Sequence, residues 1–382
     1  MDRDFGLSED QRAIVGAVRD FVAERVAPVI AGYEERSEFP RELFQELGRM
    51  GLAGIPYDDA LGGGGQPYLT YVTVLEEVAT GSLTLAEALS VHHLSASGIA
   101  RYGSDELKGR YLPNLFSGRW LGAYALSEAS SGSDAASLRC RADTTDDGGA
   151  FVLNGTKRFI SQAGEADFYL VMARTGGEGP KGISAFAVEK GWEGFGFGKL
   201  ESKMGWNASP MRELIFDACR VPRTNMIGEE GQGFTIALAA LDGGRLGIAA
   251  CSVGLAQAAL DAAVGFARER TQFGRPVIEF EGLQFMLADM ATQVEAARRL
   301  YREVARARDS GEDSTVGASM AKLFASDTAM RVTTDAVQVH GGYGYMREYP
   351  VERYMREAKA LQIVEGTNQI QRMVIGRRLA KG

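Results

Sequence analysis

Cysteine and histidine are scarce, at three residues each in 382. Cys140, Cys219 and Cys251 are odd in number and far apart, which excludes a disulfide framework and any CxxC or metal-knuckle spacing. They read as reduced core thiols in a reducing compartment. His92 and His93 adjoin in an apolar run, SVHHLSASGIARYG, with no clustered acids, so a metal site is disfavoured and one of them is placed to line a pocket. Positive charge is short as well. Lys and Arg number 42 against 50 Asp and Glu, a net charge of −8 that argues against a phosphate-backbone partner. The N-terminus, MDRDFGLSEDQRAIVGAV, has no basic region leading into an apolar run, and no apolar stretch of about 18 residues stands out. The expectation is a cytoplasmic protein without a membrane span. No GxGxxG follows a strand pattern, so a Rossmann-type NAD site is not implied.

What is present divides the chain in three. Residues 1–120 read as helices: Ser8 is placed to cap a helix striped by Ile14, Val15, Val18, Phe21, Val22 and Val26, and Pro40 opens another with Leu43, Phe44 and Leu47 inward. Gly62 to Gly65 lack both a preceding strand and a following Lys-Ser or Lys-Thr, and read as a flexible surface connection rather than a phosphate loop. Residues 121–227 turn to short β-branched runs (LRCRADTT, AFVLNG, FYLVMART, GISAFAV, ELIFDACRV). Turn chemistry stands at Asp147-Gly148-Gly149, Asn154-Gly155 and Gly176-Gly177. With no room for crossover helices, an antiparallel sheet or small barrel is expected. Residues 228–382 return to long helices rich in Ala, Leu and Gly, as in a four-helix-type bundle. The fold class expected is α+β multidomain: an all-α N-terminal domain, a middle antiparallel β domain and a C-terminal helical bundle.

Three stretches carry chemistry. In LQIVEGTNQIQR, 361–372, a helix built on Val351, Tyr354, Met355, Ala358 and Leu361 behind Pro350 breaks at Gly366. Asn368 with Gln371 then gives a capping signature for a second helix bearing Ile370, Met373 and Val374. Glu365, at the break, is either a solvated carboxylate near a helix end or one desolvated by Ile363 and Val364, raised in pKa and suited to proton abstraction. In YALSEASSGSDAAS, 124–137, a Gly/Ser turn either cradles the polar rim of a dinucleotide or is only a loop. In RERTQFGRP, 268–276, Arg270 and Arg275 flank Phe273 as a phosphate-and-base contact or as a solvated turn.

VEGTNQIQR, preceded by VHGGYGYMREYPVERYMREAKALQI, resembles the C-terminal signature of the acyl-CoA dehydrogenase family, and the likeness runs over nearly the full chain. It implies that family's three-domain fold, FAD as cofactor, an acyl-CoA substrate, electron-transferring flavoprotein as acceptor and a homotetramer whose FAD sites are shared between subunits. By the same resemblance Glu365 removes the α-proton while a β-hydride passes to flavin N5. The backbone N–H at Glu365 and a ribityl hydroxyl steady the thioester oxygen. Tyr124, Leu126 and Ser127 face the flavin, Gly132 and Ser133 lie where flavin and substrate chains pass, and Phe159 stacks, with Ile160 and Ser161 beside it. Ser127-Glu128-Ala129 replaces the commoner Thr-Glu-Pro, and Phe159 the commoner Trp. The ADP half falls to Arg270, Gln272, Phe273, Gln338, Val339, Gly341 and Gly342 of a neighbouring subunit, with Thr367 and Gln369 completing the cofactor set. Substrate contacts fall to Ser133, Asp242, Arg245, Gly366 and Arg377, and the acyl channel to 91–95 and 241–248.

Members that carry the base on an earlier helix place it directly before the Arg matched by Arg245; here Gly244 stands there and cannot serve. The carboxylate-binding Arg of glutaryl-type members aligns with Ala86, which disfavours a dicarboxylyl substrate. A short- to medium-chain acyl-CoA, straight or branched, is therefore expected. The alternatives are the same chemistry on a carrier-protein or biosynthetic thioester, and a flavin-dependent oxygenase on the same fold.

Overall fold

The computed structural model describes residues 3–381. The chain opens with helices α1 (Glu9–Phe21), α2 (Ile30–Arg36), α3 (Arg41–Arg49), α4 (Tyr68–Gly81), α5 (Leu83–Tyr102) and α6 (Asp105–Phe116). Ser8 caps α1 in a reciprocal capping box with Gln11, and Val15, Val18 and Phe21 are buried. A π-helical turn at Val22–Val26 prolongs the stripe before Pro28. Gly62 to Gly65 are not a loose connection: the N–H groups of Gly63, Gly64 and Gly65 donate to the carbonyls of Asp58, Gly54 and Tyr57. A Cβ at Gly63 would run into the Tyr57 backbone, so the run of glycines serves close approach.

The middle of the chain forms one eight-stranded sheet: β1 (Gly122–Ala125), β2 (Arg141–Thr144), β3 (Ala150–Ser161), β4 (Phe168–Arg174), β5 (Ile183–Glu189), β6 (Phe195–Phe197), β7 (Met211–Pro222) and β8 (Met226–Ile227). Its order is β6-β7-β3-β2-β4-β5-β8, with β1 paired to β4. The sheet is antiparallel except that β1 and β2 each meet β4 in parallel, β1 from Gly122↔Phe168 to Ala125↔Val171. The β1-to-β4 crossover is made by the β2–β3 hairpin, which is why no crossover helix was needed. Asn154-Gly155 is no turn; it lies inside β3, where the register against β7 slips between Leu153 and Gly155. Gly155 (φ 135°) sits against Cys140, where a Cβ would come within 2.9 Å of its Cα, and Asn154 Oδ1 accepts the N–H of Ala218 across the bulge.

Helices close the chain: α7 (Gly233–Glu269), a two-residue hairpin β9–β10 (Thr271–Gln272, Arg275–Pro276), α8 (Glu281–Asp309), α9 (Thr315–His340), α10 (Val351–Leu361) and α11 (Asn368–Leu379). The 37-residue α7 contains an 18-residue window apolar enough to cross a bilayer, against expectation, yet 78% of that window is buried inside the protein. It is a core helix, packed on α4, α5, α8 and α9. Small residues permit this approach; a Cβ on Gly254 would strike the Glu76 carbonyl on α4.

Candidate functional site

Between α10 and α11 the chain makes a six-residue turn held partly by its own residues and partly by the helices around it. Asn368 N–H donates to the Gln362 carbonyl at 3.0 Å, and Gln371 Nε2 donates to the carbonyls of Glu365 (3.3 Å) and Gly366 (2.9 Å). The cap of α11 is Thr367, whose Oγ1 accepts from Ile370 N–H, one residue earlier than the capping signature suggests; Asn368 is already helical and buried. Gln371 therefore braces the turn rather than closing a capping box. Helix α9 supplies the rest: Asn368 Nδ2 and Gln362 Nε2 both donate to Asp327 Oδ1 at 2.7 Å, and Lys322 Nζ donates to the Gly366 carbonyl at 3.0 Å. Held this way, Glu365 adopts φ 52°, in the left-handed region that costs a non-glycine residue roughly 1–2 kcal/mol.

The result is a carboxylate aimed at α7. Both Glu365 oxygens are buried without a hydrogen-bond partner, although the residue as a whole is half-buried. A Cβ on Gly244 would overlap Glu365 Oε2 and lie 2.8 Å from Leu94 Cδ2. Desolvation comes from this packing across helices rather than from Ile363, which is 54% exposed. Burial pushes the Glu365 carboxyl up to about 8, opposed by the charges of Lys322 and Arg245 and assisted by Glu87. The N–H of Glu365 has no acceptor among the described residues.

Beside Gly244 opens a cavity of about 660 Å³, lined by Tyr57, Tyr68, Tyr71, His93 and Leu94 on one side and Asp242, Gly243, Arg308 and Thr315 on the other. Val91, Leu94, Ala240 and Tyr124 form a separate small apolar cluster. Asp242 lines this cavity and accepts from Arg245, which is itself buried. Ala86 does not line it: it is fully buried in the main core, and α5 contributes Ser90, His93, Leu94 and Ser97 instead. Among the described residues no group of His, Cys, Asp and Glu could hold a metal. His92 Nδ1 accepts the N–H of Gly122, tying α5 to β1, and burial lowers His92 to about 4, so it stays neutral.

The second stretch lies on the sheet. Tyr124 donates to the Ala237 carbonyl at 3.2 Å, Ser127 is half-buried, and Gly132 and Ser133 are exposed. A buried pair that the sequence reading passed over organises this loop. Glu128 accepts from Lys157 Nζ (2.7 Å) and from the N–H groups of Arg139 and Cys140, while Lys157 also donates to the Leu126 carbonyl. The signal for it was a lone Lys at an inward position of a strand. Phe159 is 60% exposed at φ 59°, Ile160 is buried, and Ser161 lies beside Glu87. The Ile160 side chain thus belongs to the core.

The third stretch forms a second cavity, of about 700 Å³, where Arg270, Gln272, Phe273, Gln338, Val339, Gly341 and Gly342 come together with Phe266, Phe280 and Tyr343. Phe273, at the hairpin tip, is 93% exposed. This cavity and the one beside Gly244 share no lining residue. Thr367 is half-buried, whereas Gln369 and Arg377 on α11 are exposed and line neither cavity.

Three family profiles match: "Acyl-CoA dehydrogenase, N-terminal domain" over residues 8–119, the middle domain over 123–219 and the C-terminal domain over 231–380. The mitochondrial isobutyryl-CoA dehydrogenase of Dictyostelium discoideum is 44% identical over 378 residues, 98% of this chain and 90% of that protein. The butyryl-CoA dehydrogenase structure of Megasphaera elsdenii superposes with a TM-score of 0.96 at 43% identity, covering 99% of this chain and 100% of that one. A chain in the structure of the electron-transferring flavoprotein of Acidaminococcus fermentans gives 0.97 at 45%, with coverage of 99% and 100%.

Proposed function

The chain belongs to the acyl-CoA dehydrogenase family, and from that premise we propose that it oxidises a short-chain acyl-CoA, straight or branched, to the trans-2-enoyl-CoA with Glu365 as the base. Its cofactor is FAD. The observation that carries the assignment of the base is the Glu365 carboxylate, buried without a partner against Gly244. A carboxylate in water is far too weak to remove an α-proton from a thioester. One raised to about 8 by desolvation holds the proton once it has taken it. The Glu365 N–H, which has no acceptor of its own, is available to the thioester oxygen as negative charge develops there. The Cα–H bond breaks with its proton going to Glu365, the Cβ–H bond breaks with its hydrogen and electron pair leaving as hydride, and the Cα–Cβ double bond forms. FAD, when bound, supplies the acceptor for that hydride at N5.

The residues suit such a group. The loop from Ser127 to Ser133, beside β3 with its exposed Phe159, offers hydroxyls and a ring, and the cavity of Arg270, Gln338, Gly341 and Gly342 offers charge and bare backbone for a phosphate-bearing half. That this cavity stands apart from the one beside Gly244 supports a cofactor site completed by a neighbouring subunit. Phe285 (61% exposed) and Leu379 (74% exposed) leave apolar surface for the homotetramer we infer. The likeness to a chain in the electron-transferring flavoprotein structure supports such a flavoprotein as the electron acceptor.

The small cluster of Val91, Leu94, Ala240 and Tyr124 favours acyl chains of about four to eight carbons, each buried methylene contributing about 0.8 kcal/mol. A panel of acyl-CoAs and matched carrier-protein thioesters, assayed with an artificial electron acceptor, tests this. The expected result is fastest flavin reduction by short acyl-CoAs. A preference for chains beyond about twelve carbons, or for the carrier-protein thioesters, overturns the substrate assignment.

A further inference from the structure

Lys322 sits in the middle of α9 with its side chain fully buried, an unusual place for an ammonium. Its hydrogen bonds go to neutral acceptors, the Gly366 carbonyl at 3.0 Å and Asn368 Oδ1 at 2.9 Å. The anions around it are otherwise engaged. Asp327, on the same helix, accepts from Gln362, Asn368 and Arg372; Asp242 on α7 accepts from Arg245; Glu87 on α5 accepts from Gln162 and Ser209. Tyr68, Tyr71 and Tyr124, and Cys251 on α7, are all held in their neutral forms by burial. Among these groups Glu365 is the one carboxylate with no hydrogen-bond partner, and the Lys322 ammonium donates only to neutral acceptors.

We propose that Lys322 is the positioning residue for Glu365: it pins the Gly366 carbonyl, so that the turn delivers the carboxylate to Gly244, and it supplies the positive charge that permits the base to ionise inside the protein. This rests on the reading of Glu365 as the base. Two observations converge on it. The bond to Gly366 adjoins the peptide on which Glu365 takes its left-handed conformation. In addition, of the charges that favour the ionised form of Glu365, Lys322 acts most strongly, ahead of Arg245. Glu365 in turn raises Lys322, against the burial that brings the ammonium down to about 8.

The test uses FAD-loaded enzyme: parent, Lys322→Met, Lys322→Gln, Lys322→Arg and Glu365→Gln, each followed by kcat and KM against pH. A second readout is the infrared band of the protonated Glu365 carboxyl, identified by its loss in Glu365→Gln. Lys322→Met removes the charge, so the acid limb of kcat and the midpoint of the infrared band both move to higher pH, by about one to two units, with KM little changed. Lys322→Arg keeps the charge and leaves the limb near the parent position even if the crowded site lowers the plateau. Lys322→Gln keeps a neutral donor to Gly366 and shifts as Met does, which secures the test should the Met variant fail to fold. A lowered plateau with an unmoved limb and band shows packing alone and overturns the proposal. Near-parent activity in Glu365→Gln instead overturns the assignment of the base, and the proposal with it.

Discussion

Replacing Glu365 by Gln tests the site through stability as well as rate, because the two depend on the same buried proton. In the unfolded chain this carboxyl titrates near its ordinary value of 4.5, and in the folded protein near 8. A raised folded value means the fold favours the protonated form. That contribution is fully present below pH 4.5 and is lost as pH rises, since the unfolded chain releases its proton first, until the folded carboxyl ionises near 8. Each unit is worth about 1.4 kcal/mol, so by pH 7 the parent forfeits about 3 kcal/mol relative to pH 4.5. Gln fills the same volume and has no proton to lose, but its amide sits where the carboxylate already lacked partners, a constant cost of about 1–3 kcal/mol. The variant should therefore be no more stable than the parent at pH 5 and gain steadily on it up to pH 8. Thermal unfolding of FAD-loaded protein at half-unit pH intervals measures the difference. Should it stay flat with pH, Glu365 is not a desolvated carboxyl and the argument for its basicity fails. In parallel, substrate reduction of the flavin should fall by roughly 10²- to 10⁴-fold or more. A rate within about tenfold of the parent, only ~1.4 kcal/mol of barrier, refutes it as the base.

Further perturbations probe the Glu365–Gly244 contact and the Arg270 cavity. Gly244→Ala should displace the Glu365 carboxylate and lower the rate of flavin reduction while FAD content is retained; unchanged reduction would contradict the packing. A carboxylate introduced by Gly244→Glu would occupy the same space, so it can replace the base only when combined with Glu365→Gly, which empties that space, and not when combined with Glu365→Gln. Arg270→Ala with Gln338→Ala should weaken FAD retention on gel filtration. Mixing an Arg270→Ala subunit with a Glu365→Gln subunit should then restore some activity if the site is shared, and none if each subunit binds FAD alone.

Local chemistry was legible where a residue's role depends on near neighbours: the Ser8 cap, the β-branched runs and the break at Gly366 can all be read by eye. What escaped the sequence depends on partners far along the chain. Asn154-Gly155 has the composition of a turn, yet the tight approach of Cys140 makes it a bulge. Whether Glu365 is solvated or desolvated is open from its chain neighbours alone, because the packing that decides it is against Gly244 on α7, more than a hundred residues away. Lys322 offered only a weak signal, one Lys among the small residues of ASMAKLFAS. The family resemblance drew together the residues of the Arg270 cavity, which no local rule relates; Gln369 and Arg377 lie outside both cavities.

The burial of α7 also governs how the chain is made. Its partners α4 and α5 are complete by Tyr102, whereas α7 begins only at Gly233, roughly 130 residues later. At about 5–20 residues per second, α4 and α5 leave the ribosome roughly ten seconds before the surface that covers them exists. Residues of α4 that end fully buried, among them Val74, Leu75 and Val78, are for that interval a liability. Fragments ending before Gly233 should aggregate rather than behave as free-standing domains.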